Sequence, residues 1–199
     1  MPRTKDRFVQ PKERNSSEEG EARNPLDQKP KPYAGHTVPN RGGATIEEGK
    51  PAPDFALVAD DGRTISLKDF RGKRVVLYFY PKDDTPGCTV EACAFRDLLP
   101  DVSHAGAIVL GVSRDDSDSH VRFKRKFNLN FPLLSDSDTK VHRLYGAWGK
   151  KMMYGKETEG VIRSTVLIDE RGRVVKHWPR VKAEGHAEEV LLALAANVG

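Results

Sequence analysis

A single α/β domain, with a mixed central sheet and helices on both faces of it, is the fold this sequence predicts. Three observations carry the prediction. Two short apolar runs, Val-Val-Leu-Tyr-Phe-Tyr at 75–80 and Ile-Val-Leu-Gly-Val at 108–112, read as strands buried on both faces. These runs alternate with segments of helical spacing, and a strand pair and a last helix follow them, an order that implies a mixed sheet between helical layers. The 199 residues suffice for one domain with a substantial core, but not for two once a polar N-terminal stretch is set aside.

Residues 1–43 are poor in large apolar side chains and rich in Pro, Glu, Arg, Lys, Asn and Ser, so a disordered extension is expected there, with the domain spanning 44–199. Phe55-Ala56-Leu57-Val58 and Thr64-Ile65-Ser66-Leu67, separated by Asp61-Gly62, read as a hairpin. The strand at 75–80 leads into a loop, and a helix is expected from about Pro86 to Ser103. After the strand at 108–112, the acidic and serine residues 115–119 offer N-caps for a helix running through Phe127. A short strand near 132–134 and a helix near 140–148 come next. Thr165-Val166-Leu167-Ile168 and Val174-Val175-Lys176-His177-Trp178, around Asp169-Glu170-Arg171-Gly172, form a second hairpin. Ala187, Val190, Leu191 and Leu194 recur at helical spacing and close the chain with a helix.

Charge and composition exclude several classes of function. Residues 1–43 hold nine of the 33 basic and six of the 29 acidic side chains, which leaves 24 against 23 in the expected domain. The folded part is close to neutral, and nucleic-acid binding by it is not expected. No stretch approaches the ~20 apolar residues of a membrane span. The charged start Met1-Pro2-Arg3-Thr4-Lys5 has no apolar run behind it to make a secretory signal, so a cytoplasmic location is expected. The six histidines are dispersed and form no cluster with zinc-ligand spacing. Asp116-x-Asp118 and Asp136-Ser137-Asp138 lack the glycine and terminal glutamate of a calcium loop.

The chemistry concentrates on the two cysteines, Cys88 and Cys93. Pro86 suits the first position of a helix capped by Thr85, which puts Cys88 about two residues further in. There the unpaired amides and the positive dipole end of the first turn favour a thiolate. The same amides and the Thr85 hydroxyl can orient an approaching peroxide oxygen, and an arginine, for which Arg163 is the candidate, would stabilise the displaced charge. Cys93, one turn on, is placed to trap the oxidised sulfur. Residues five apart on an intact helix have Cα atoms roughly 8–9 Å apart, beyond the ~7 Å limit for a disulfide. Bonding therefore requires residues around 87–95 to unwind first.

A reactive cysteine after an inner strand, at the start of the helix it feeds, resembles the thioredoxin-like arrangement. The pattern Pro81-x-x-x-Thr85-x-x-Cys88 resembles the active-site signature of the peroxiredoxins. The longer run from Tyr78 to Cys93 is similar to the bacterioferritin comigratory protein (peroxiredoxin Q) branch. Further matches are Gly111-Val112-Ser113, Phe131-Pro132-Leu133-Leu134-Ser135-Asp136, Met153-Tyr154-Gly155-Lys156 and Arg163-Ser164-Thr165-Val166-Leu167-Ile168-Asp169. The resemblance implies a thioredoxin-fold peroxidase without metal, haem or flavin, often monomeric. It implies that Cys88 is the peroxidatic cysteine, that Thr85 and Arg163 bind peroxide, that Pro81 shields the site and that Glu91 supports it. Cys93 matches the resolving cysteine of those members that have one in the same helix, so a Cys88–Cys93 disulfide, reduced by thioredoxin or a similar dithiol protein, is implied too.

Two other readings compete. A redox sensor would oxidise quickly but pass its disulfide to a partner rather than turn over. A thiol–disulfide oxidoreductase would reduce disulfides without consuming peroxide, although Cys-x₄-Cys differs from the Cys-x-x-Cys such enzymes carry.

Overall fold

Strand β3 (Arg74–Phe79) is the axis of the domain, and its residues Val75 to Phe79 are all buried. A run of six consecutive apolar and aromatic residues offers no polar face, so the strand is stable only with layers on both sides. The computed structural model describes residues 46–153 and 155–196. The extension expected at 1–43, the outermost residues of the expected domain and Tyr154 lie outside the described residues.

The main sheet has seven strands in the order β2-β1-β5-β4-β3-β8-β9. β1 (Ala56–Ala59) and β2 (Thr64–Ser66) form the expected first hairpin, and β1 also pairs antiparallel with β5 (Leu133–Ser135). β4 (Ala107–Ser113) lies parallel to both β3 and β5. β8 (Ser164–Ile168) runs antiparallel to β3, and β9 (Val174–Trp178) antiparallel to β8.

The alternation of side chains along β3 divides the core in two. Val76, Tyr78 and Tyr80 join Cys88, Ala92 and Phe95 of helix α1 (Pro86–His104), Phe123 of α2 (Ser117–Phe127), and Val190 and Leu194 of α4 (His186–Ala196). Val75, Leu77 and Phe79 face the other way, onto Leu67 and Phe70 of a 3-10 turn and Val141 of α3 (Lys140–Leu144). Helices thus cover both faces of a mixed sheet, and the fold is the thioredoxin-like one.

The helix expected over 140–148 is shorter than that. It stops at Leu144 because Gly146 adopts a left-handed conformation, φ +68°, and turns the chain out. The Ala147 amide then donates to the His142 carbonyl at 2.7 Å and the Gly146 amide to Arg143 at 3.3 Å, a Schellman closure. Trp148 begins a strand instead: β6 (Trp148–Met153) pairs with β7 (Lys156–Val161) as a separate ribbon. Asp116 is the N-cap of α2, its carboxylate accepting from the Ser119 amide at 2.8 Å.

One backbone position sets how closely α1 can approach the sheet. A Cβ on Gly111 would lie 2.8 Å from both the Tyr78 hydroxyl and Leu133 Cδ2, and Tyr78 carries Phe95 of α1 with ring centroids 4.9 Å apart. Gly111→Ala should cost about 1–3 kcal/mol, the usual range for overpacking a core. Urea unfolding of the two proteins measures the difference.

Candidate active site

Beyond the end of β3 the chain leaves the sheet, with the Tyr80 amide still donating to Val112 of β4 at 3.1 Å. Pro81 then opens a loop that is held at its middle by Asp83. The Asp83 amide donates to Asp115 Oδ2 at 2.8 Å, while its buried carboxylate accepts from the Tyr80 hydroxyl at 2.7 Å and meets His120 Nδ1 at 2.9 Å. Asp84 takes a left-handed conformation, φ +54°, which its short polar side chain tolerates, and pairs with Lys126 at 2.7 Å.

Thr85 is the N-cap residue of α1 in extended geometry, and Pro86 follows at the first helical position. Its side chain does not cap the helix, however: the hydroxyl donates to the Lys82 carbonyl at 3.0 Å, inside the loop. The first helical bond runs from the Thr89 amide to the Thr85 carbonyl at 2.8 Å. The amides of Gly87 and Cys88 precede it and belong to the set that an α-helix leaves unpaired at its start. Cys88 sits at this end, 1% exposed, in the apolar layer formed with Tyr78, Tyr80 and Trp178.

Arg163 arrives from the opposite direction, on the residue before β8. Its carbonyl accepts from the Val181 amide at 3.1 Å, and the neighbouring Ile162 amide donates to Ala147 at 2.8 Å. So fixed, the guanidinium spans two groups. Nη2 lies 3.2 Å from Cys88 Sγ, and Nη1 donates to Glu91 Oε2. Gly87 borders it: a Cβ there would sit 3.4 Å from Nη2, in van der Waals contact.

Glu91 is fully buried one turn beyond Cys88, and its second carboxylate oxygen has no partner among the described residues. Burial pushes its carboxyl up to about 7, against the pull of the Arg163 charge and hydrogen bond. Burial alone would lower the Arg163 pKa, but Glu91 and Cys88 more than offset this and leave it above its ordinary value.

Of the residues singled out from the sequence, Cys88, Glu91 and Arg163 thus meet in one contact chain, with Thr85 at the mouth of the same helix and Pro81 at the start of the loop. Cys93 is half-buried on α1, and both cysteines are free thiols on one unbroken stretch of helix. The disulfide implied by resemblance is therefore not formed in this conformation. Sequence reasoning did not single out Asp83 or His120 as the loop's fixing points. His120 follows Asp83 by 37 positions, and only the tertiary structure shows that either is buried. No group of three or more His, Cys, Asp or Glu side chains is gathered as a metal ion would need, among the described residues.

The raised Glu91 pKa makes a prediction about stability. Between about 4.5 and about 7 the folded protein keeps a proton that the unfolded chain releases. Unfolding then gives up a proton, and stability falls as pH rises through this window. Relative to Glu91→Gln, which does not titrate, the wild type should lose up to about 3 kcal/mol between pH 4.5 and 7. Urea unfolding of both proteins across that range reads the difference.

With the geometry in place, comparison with known proteins is direct. The profile of the AhpC/TSA family matches residues 49–177. A putative peroxiredoxin Bcp of Coxiella burnetii is 52% identical over 147 residues, covering 74% of this chain and 97% of the relative. Peroxiredoxin Bcp of Escherichia coli is 43% identical over 146 residues, covering 73% and 94%. The solved structure of bacterioferritin comigratory protein from Xanthomonas campestris, described for its alkyl peroxide reduction activity, superposes with a TM-score of 0.72. It is 42% identical, and the match covers 77% of this chain and all of that one. The chain belongs to the AhpC/TSA family and, within it, to the Bcp or peroxiredoxin Q branch.

Proposed function

We propose that this chain is a thiol peroxidase that reduces hydrogen peroxide and organic hydroperoxides through Cys88 and Cys93. The observation that carries the reading is the Arg163 guanidinium 3.2 Å from Cys88 Sγ, at the start of a helix whose first amides are unpaired. A thiolate attacking a hydroperoxide breaks the O–O bond, takes the nearer oxygen as a sulfenic acid, and sends negative charge onto the departing oxygen. Fixed cationic and amide donors stabilise that charge as it develops and need no reorganisation to do so. The Thr85 hydroxyl, already donating to Lys82, keeps its lone pairs free to accept the hydroperoxide proton. Pro81 keeps bulk water from the sulfur, and Glu91 holds Arg163 at the angle that reaches it.

Cys93 then resolves the sulfenic acid after α1 unwinds locally, and the disulfide is returned to two thiols by thioredoxin or a similar dithiol protein. The near neutrality of the domain speaks against nucleic acid as a partner. The protein works as a monomer in the cytoplasm, with no cofactor.

Catalytic consumption of peroxide in the presence of a dithiol donor is the decisive test. Many turnovers are expected; a single oxidation without cycling would point to a sensor, and disulfide reduction without peroxide consumption to an oxidoreductase. Cys88→Ser should abolish consumption, and substantial residual activity would overturn the assignment. Arg163→Gln should lower the second-order rate constant for Cys88 oxidation by about 10²–10³, the usual effect of losing one transition-state donor. Cys93→Ser should still oxidise once, rapidly, and then accumulate overoxidised Cys88 or mixed disulfides. Normal recycling of that variant by thioredoxin would show that Cys93 is not the resolving residue.

A further inference from the structure

Helix α1 contains a discontinuity to which the proposed reaction gives a use. Pro100 lies inside it. Lacking an amide hydrogen, it cannot donate to the Arg96 carbonyl four residues earlier, and its ring crowds that carbonyl. One of the bonds that couple successive turns is therefore missing between Arg96 and Pro100.

Groups from outside the helix meet it at this point. Asn130 Nδ2 donates to the Arg96 carbonyl at 3.4 Å, the very acceptor that Pro100 leaves without a helical donor. Arg96 Nη1 donates in turn to the carbonyl of Phe127, the last residue of α2, at 2.7 Å. That carbonyl is among those a helix end leaves unpaired. Arg96 Nε is held by Asp97 Oδ1 at 2.7 Å, which fixes the direction of the guanidinium. On the inner side Phe95 is fully buried against Tyr78. Both cysteines lie ahead of this junction, in turns that also bury Ala92 and Phe95; behind it Val102 is buried and Leu98 and Leu99 pack against the core.

We propose that Arg96, together with Asn130, is a positioning residue for disulfide formation: it ties α1 to the end of α2 at the Pro100 break, so that the turns bearing Cys88 and Cys93 unwind while residues 97–104 stay packed against the core. The proposal rests on the peroxidase reading. In that step the Cys93 thiolate attacks the sulfur of the Cys88 sulfenic acid, the S–S bond forms and the S–O bond breaks. The departing hydroxide takes up the proton given off by the Cys93 thiol and leaves as water. The hydroperoxide consumed before it is the only oxidant required. With the far end of the helix held, Cys93 searches on a short tether of the few residues between the thiols. Without the anchor, unwinding runs through the break and exposes the core side chains behind it.

Amide hydrogen exchange on the full chain, reduced and in the Cys88–Cys93 disulfide form, tests this. In the wild-type disulfide form, protection should be lost through Leu99, whose amide bonds back to the unwound turns, and kept from Asp101 to His104. Arg96→Met should leave the reduced form within about twofold of wild type and lower protection at 101–104 in the disulfide form by roughly tenfold, about 1.4 kcal/mol. Adding Pro100→Ala, which restores the missing amide, should bring the protection back. Asn130→Ala should shift exchange in the same direction and stands in for Arg96→Met if that variant does not fold. The anchor is refuted if the wild-type disulfide form loses protection through to His104, if Arg96→Met leaves 101–104 protected, or if Pro100→Ala fails to rescue. Peroxide consumption and disulfide mapping on the same samples keep the two readings apart. No peroxide consumption and no disulfide would sink the function; a disulfide with the exchange boundary elsewhere would sink only the anchor.

Discussion

The contact chain from Glu91 through Arg163 to Cys88 is the constraint around which this domain is built. A carboxylate at 0% exposure is costly to ionise without a partner, and removing one member of a buried pair typically costs 3–5 kcal/mol. Glu91 therefore needs Arg163, and Arg163, with its side chain only 16% exposed, needs both Glu91 and the sulfur. Any segment that moves one of the three disturbs the other two.

Local and distant parts of the chain each supply half of that contact. The turn from β3 into α1 sets Thr85 and Cys88 through a proline at the first helical position and a loop whose Asp83 is pinned by Asp115 and His120. Arg163 comes from 75 residues away, and the pairing of β8 with β3 places it. Ser164 lies opposite Phe79 in that register, so Arg163 is level with Tyr80 and shares its face of the sheet. A slip of one residue would send the guanidinium to the opposite face, away from the helix it serves.

The parts legible in the sequence were those with strong local physics. The strands at 75–80 and 108–112 announce themselves by unbroken apolar runs, and α1 by Thr85-Pro86. Cys88, Glu91 and Arg163 came to notice through chemistry and resemblance, and the structure brings them together. The β6–β7 ribbon was missed because much of it is solvated: Glu157, Thr158 and Glu159 are exposed, so no alternation of apolar residues marks the strand. The end of α3 at Leu144 depended on the conformation of a single glycine, Gly146. Asp83 and His120 look like ordinary surface residues until the fold buries them beside Tyr80.

The burial of Cys88 has a kinetic corollary. A sulfur with 1% of its residue surface in contact with solvent rejects the face of another protein. In the proposed cycle a protein electron donor must therefore meet a shape of the molecule other than this one, with the sulfur brought to the surface. Were the cycle to run as proposed, steric sieving alone would set its order, without any need for the two partners to differ in affinity.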